Sequence, residues 1–68
     1  MQAFSNDGLR KQPGHYVCVQ TNNPGQVGEE IEILDTHKQV LNVATITSVQ
    51  PNGPHWKKQF SVQATVIA

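Results

Sequence analysis

Turn-forming clusters cut this chain into pieces too short for anything but strands. Gln12-Pro13-Gly14, Asn22-Asn23-Pro24-Gly25, Asp35-Thr36-His37-Lys38 and Gln50-Pro51-Asn52-Gly53-Pro54 are made of residues that accept tight or left-handed backbone. They recur every 10 to 15 residues, close to the roughly 8 to 12 of a small all-β domain. Between them lie His15 to Thr21, Glu29 to Asp35, Gln39 to Gln50 and Gln59 to Ala68, all rich in β-branched residues. No stretch keeps an apolar period of 3.6 residues for a useful length.

The phase inside each piece says how it should sit. In the second, Ile31 and Ile33 alternate with Glu30 and Glu32, the pattern of a half-exposed antiparallel strand. In the last, Phe60, Val62, Ala64 and Val66 share one face. The third slips phase between Leu41/Val43 and Ala44/Ile46, which predicts a bulge or sharp bend. The first is apolar on both faces, Tyr16 and Cys18 against Val17 and Val19, and predicts a strand covered on both sides by the arm or by another subunit. The final strand ends at Ile67 and Ala68 without charge, so it is expected either to pair inside the barrel or to pair between subunits.

The expected fold is all-β: a small antiparallel barrel or curled sheet of four strands, or five if the long one is broken at its slip, of SH3-like or OB-like size. Residues 15–68 form the domain, and residues 1–14 a short N-terminal arm or a single helical turn carrying Phe4 and Leu9. The run VGEEIEILDTHKQVLNVATITSV resembles the glycine-then-strand lead-in and Ile-Thr-Ser-Val exit of several small barrels, PUA-like and SH3-like ones among them. That resemblance covers about a third of the chain and carries no functional residue with it.

With 68 residues the core must be small, so a staple is expected. Cys18 is alone, which rules out a disulfide within the chain and fits a reducing, cytoplasmic setting. No signal segment and no apolar run long enough for a bilayer is present, so the chain reads as soluble, without a membrane partner. Metal is not expected either: His15 and Cys18 would point to opposite faces of a strand, while His37 and His55 sit in separate turns. Self-association or an efficient small core is what remains.

Catalytic signatures are equally thin. Cys18 between two valines reads as packing, Glu30 and Glu32 as a solvated face, and the glycines of NNPGQVGEE as turn chemistry preceding a strand. No catalytic residue and no cofactor is assigned, and an enzyme is conceivable only as an oligomer with its site at a subunit interface.

Five basic residues balance five acidic ones, which argues against affinity built on many phosphate contacts. The charges are segregated, however: Glu29, Glu30, Glu32 and Asp35 stand apart from Lys57 and Lys58, and such patches can meet between copies. The loop Pro51 to Lys58 combines Trp56 with His55, Lys57 and Lys58, an aromatic platform beside positive charge. The reading a small core favours is that Trp56 folds back to cap it; the alternative is an exposed binding surface. Asn and Gln occupy thirteen positions, and Asn22 and Asn23 join the loop residues as candidate contacts. The function expected first is a non-enzymatic binding or assembly module that self-associates and presents its loops at 21–28 and 51–58 to a macromolecular partner. A barrel binding single-stranded RNA or DNA through Trp56, Lys57 and Lys58 is the alternative.

Overall fold

A computed structural model describes residues 1–68. Five strands, β1 (Gln2–Phe4), β2 (Tyr16–Thr21), β3 (Glu30–Leu34), β4 (Val40–Pro51) and β5 (Phe60–Val66), form one sheet in the order β1-β3-β4-β5-β2. The sheet curls into a half-barrel, and no helix is present. The four expected strands stand where the alternation put them, and their neighbours pair antiparallel.

The fifth strand comes from a different place than expected. β4 stays continuous through its irregularities, and the extra strand is supplied by the arm. Gln2–Phe4 runs parallel to β3 with Ala3 opposite Ile33, so the sheet is mixed and the arm contains no helical turn. A strand of three residues has no period to read, and its pairing is available only once β3 offers an edge.

The phase slip in β4 resolves into two bulges. Ile33 pairs with Asn42 but Leu34 with Val40, leaving Leu41 extra; Ile46 pairs with Ala64 but Ser48 with Gln63, leaving Thr47 extra. Each bulge reverses which face the strand shows and adds a bend, and two bends in the central strand allow the curl. The inward face of β4 is therefore Asn42, Ala44 and Ile46, followed by Val49.

The core is one layer of side chains inside that curl. Ile31, Ile33, Ala44, Ile46, Val62, Ala64 and Val66 make it, with Met1, Ala3, Val17, Val19 and Val49 packed at its margin. Cross-strand pairing aligns Ile31 with Ala44 and Val66, and Ile46 with Ala64 and Val17, so large side chains meet small ones. Ile31, Ile46, Val62 and Val66 are fully enclosed, each worth about 1.5–3 kcal/mol of transfer energy. Glu30 and Glu32 face outward, as their alternation requires. Only nine of 68 residues are buried, so the core is as small as the length implies.

One buried residue is polar. Asn42 lies on the inward face at 2% exposure, and its amide is fully used. Its Oδ1 accepts from the Lys11 amide at 2.8 Å, and its Nδ2 donates to the carbonyls of Lys11 (2.9 Å) and Ala68 (3.1 Å). This side chain clasps the arm and the chain end to the sheet.

β5 is not an edge. It lies between β4 and β2, so the uncharged C-terminal strand is paired on both sides. The edges are β1 and β2, and the expectation that the arm covers the second face of β2 is overturned. Tyr16 is 74% exposed and Cys18 is an exposed thiol, because nothing in the chain lies over their face.

Candidate functional site

Two regions bring together side chains that no folding requirement explains. The first is the open seam of the half-barrel. One parallel neighbour pair, β1–β3, and three antiparallel ones make β1 and β2 run antiparallel on either side of it, yet they form no ladder. The His15 carbonyl accepts from the Val66 amide at 2.8 Å, which sets the alternation along β2. Val17, Val19 and Thr21 turn their amides and carbonyls toward β5, and those of Tyr16, Cys18 and Gln20 point away into the seam.

Residues 5–15 cross the upper part of the seam and are held there by local chemistry. Ser5 Oγ donates to Asp7 Oδ1 (3.0 Å), while the Gly8 amide donates to Ser5 Oγ and the Leu9 amide to Asp7 Oδ1, each at 3.0 Å. Gly8 takes φ +68°, which the turn needs. Lys11 pairs with Asp7, the one ion pair of the chain. The hydrogen bond from the Lys11 ammonium, followed by those from the Leu9 amide and Ser5 hydroxyl, holds the Asp7 carboxyl well below the usual carboxylate range.

Below and beside this crossing lie two clefts. One, of about 250 Å³, separates Phe4 and Leu9 from Tyr16, Val17 and Val19. The other, of about 370 Å³, runs between Met1–Phe4 and Cys18–Thr21. Both reach Cys18 and Val19, so the outer edge of β2 borders open space along its length. Phe4 and Leu9, each 62% exposed, and Tyr16 stand around the upper cleft as an apolar rim. Sequence reading placed Phe4, Leu9, Tyr16 and Cys18 as apolar members of their segments but not as one surface; the antiparallel approach of β1 and β2 joins them.

The second region is the opposite end of the sheet, where the candidate binding residues sit. His55, Trp56, Lys57 and Lys58 are all exposed, and Trp56 is 59% accessible, so the expectation that it caps the core is overturned. The turn closes on itself, with the Trp56 amide donating to the Gly53 carbonyl at 3.2 Å, and the indole lies beside Gly53 of its own loop. Lys57 and Lys58 make no ion pair.

Asn22 and Asn23 lie in the adjoining loop after β2, and they have structural duties. Asn22 Oδ1 accepts from the Gln59 amide at 3.0 Å, which ties that loop to the base of the tryptophan loop. The Asn23 amide donates to Thr21 Oγ1 at 3.1 Å. Beneath them is a polar network that sequence reading missed. Asn52 Nδ2 donates to Gln20 Oε1 (2.8 Å) and to the Lys58 carbonyl (2.9 Å), and the single Ser61 hydroxyl proton is shared between Gln20 Oε1 (2.9 Å) and Asn52 Oδ1. The signal was the excess of amides, which says nothing of which ones meet.

The remaining candidates do not converge. His37 is in the β3–β4 turn, His15 precedes β2 and His55 is in the tryptophan loop; no three His, Cys, Asp or Glu side chains come together as metal ligands. Cys18, expected as a packed thiol, is instead on the surface, where Gln20 Nε2 donates to its Sγ at 3.6 Å. No helix is long and apolar enough to cross a membrane. Compared with protein-family models, curated proteins and solved structures, the chain matches none, so the meaning of its site rests on its own residues.

Proposed function

We propose that this chain is a non-enzymatic binding and assembly module that self-associates along its seam and presents the loops at 21–28 and 51–58 to a macromolecular partner. The observation that carries the reading is the unpaired edge of β2, bordered by the exposed Phe4, Leu9 and Tyr16. A free edge that is uncharged, free of proline and unbulged invites strand pairing, and natural sheets usually blunt such edges. β2 has none of those protections. The small core adds a motive, since association would bury apolar surface that 68 residues cannot bury alone. The exposed single thiol suits a reducing compartment, which favours the cytoplasm as its setting.

Sedimentation equilibrium between about 5 μM and 1 mM, under reducing conditions, tests this. A mass that rises with concentration supports the reading, and a monomer throughout removes it.

A second reading has its own observation: Trp56 is exposed beside Lys57 and Lys58, which have no acidic partner. Bases stack on such a platform at about 1–3 kcal/mol each, with lysines nearby for phosphate. Titrating single-stranded RNA and DNA at low salt while following Trp56 emission tests it; unchanged emission and no salt-dependent binding exclude nucleic acid as the partner.

A further inference from the structure

Self-association along the seam, the reading above, leaves open how two copies meet. The backbone of β2 narrows this to one register. Its outward amides and carbonyls belong to Tyr16, Cys18 and Gln20. An antiparallel partner strand forms hydrogen-bonded pairs only where outward groups of both strands face each other. Two copies of β2 use all of these groups in a single arrangement: Tyr16 opposite the partner's Gln20, Cys18 opposite the partner's Cys18, and Gln20 opposite the partner's Tyr16. Any shift along the strand leaves at least one pair unmade.

The geometry points to a two-fold dimer built on this β2–β2 ladder, centred on Cys18. Side-chain chemistry agrees with the backbone. The same register sets Val17 against the partner's Val19 on the inward face, where both valines are only half-buried at the margin of the core. Valines in a directly opposed, non-hydrogen-bonded pair approach closely and pack well. On the outward face an aromatic ring lies against an amide, and no charge occurs anywhere in residues 16–21.

β1 is the poorer edge. It offers only the outward groups of Gln2 and Phe4 and lies beside Glu32, to which Gln2 Nε2 donates at 3.0 Å. The partner is thus a second copy, selected by self-complementarity: one uncharged strand supplies both halves of every pair. Two clefts separate that edge from β1 and from the residues that cross the seam, and its outward backbone groups make no hydrogen bond within the chain.

Cys18 reports on the register. Hydrogen-bonded antiparallel pairs hold their Cα atoms about 5.5 Å apart, inside the range a disulfide spans, and closing the bond draws the two Cβ atoms together from about 5 Å to about 4 Å. Oxidised glutathione added to the dimer would accept two electrons and two protons from the paired thiols, giving one Cys18–Cys18 bond and two molecules of reduced glutathione. The expected product is a covalent species of twice the chain mass, formed at concentrations where sedimentation shows association.

Charge placed on the axis gives the second arm of the test. Cys18→Lys and Cys18→Glu each set like charges directly opposite, and each should weaken dimerisation more than tenfold at low salt, with circular dichroism checking the fold. Mixing the two variants should restore a one-to-one dimer, an outcome that a contact elsewhere on the surface would not produce. Wild-type association without cross-linking, or association undiminished in both charged variants, overturns the β2 ladder while leaving self-association standing. A wild-type monomer at every concentration overturns both. Should the charged variants fail to fold, the cross-linking of the wild-type chain decides alone.

Discussion

Replacing Asn42 with leucine should cost this domain a large share of its stability. The side chain is 2% exposed and makes three hydrogen bonds, at 2.8, 2.9 and 3.1 Å, to the backbone of Lys11 and Ala68. The Ala68 carbonyl keeps a second donor, the Val43 amide at 2.9 Å. The Lys11 amide and carbonyl have only Asn42. At about 1 kcal/mol for each bond lost, plus a desolvation penalty for the orphaned Lys11 groups, the gross loss is about 3–4 kcal/mol. Leucine recovers about 1 kcal/mol through its apolar surface, which leaves about 2–3 kcal/mol. A chain this short holds about 3–10 kcal/mol in total, so the variant should melt about 10–20 °C lower. Thermal unfolding followed by circular dichroism measures the shift, and hydrogen exchange at the Lys11 amide locates it. A melting temperature within about 3 °C of the wild type, with the Lys11 amide still protected, would refute the clasp. Asn42→Asp separates shape from donor chemistry. It keeps an acceptor for the Lys11 amide but turns a carboxylate toward two carbonyls, so its folded-state pKa must be raised. The penalty is then present above the ordinary carboxylate pKa and is relieved as pH falls, when the protonated oxygen can donate.

Three further outcomes are expected. A Cβ on Gly25 would stand 2.8 Å from Glu29 Oε2 and 3.1 Å from Ile46 Cδ1; the glutamate can swing away but the buried isoleucine cannot, so Gly25→Val should lose about 1–3 kcal/mol in chemical denaturation. Lys38 holds φ +63° in the β3–β4 turn; Lys38→Gly should raise stability by about 0.5–1 kcal/mol and Lys38→Val should lower it, measurable as opposite shifts in urea midpoint. The Asp7 carboxyl is held low by Lys11, Leu9 and Ser5, so its contribution is complete above the unfolded carboxylate pKa and is lost as pH falls below it; NMR should show residues 5–11 loosening in acid, and Asp7→Asn should abolish that pH dependence.

The legible parts of the fold were those written locally. Ile31 and Ile33 alternating with Glu30 and Glu32 placed β3 and its inward face, and Asp35 to Lys38 marked the turn that Asp35 Oδ1 organises by accepting from the His37 and Gln39 amides at 2.8 and 2.9 Å. The slip in β4 announced a bend, although its two bulges at Leu41 and Thr47 could be placed only once β3 and β5 supplied registers. Asn42 was hidden among thirteen amides, because inward placement of a polar residue depends on a bulge one residue away.

The candidate site was less legible. Trp56 beside two lysines was recognisable as a candidate surface, but its 59% exposure is set by where its loop lies relative to the core, which no local pattern states. The seam could not be read at all. Residues 2–4 are too few to show alternation, whereas the other four strands, their turns and most of their inward faces follow from chemistry acting over a few residues. Tertiary structure alone decided that the arm pairs parallel with β3, that β5 is central, and that β2 is left as a bare edge. Those outcomes depend on which segments compete for the same backbone hydrogen bonds, a contest between residues dozens of positions apart that no local pattern records.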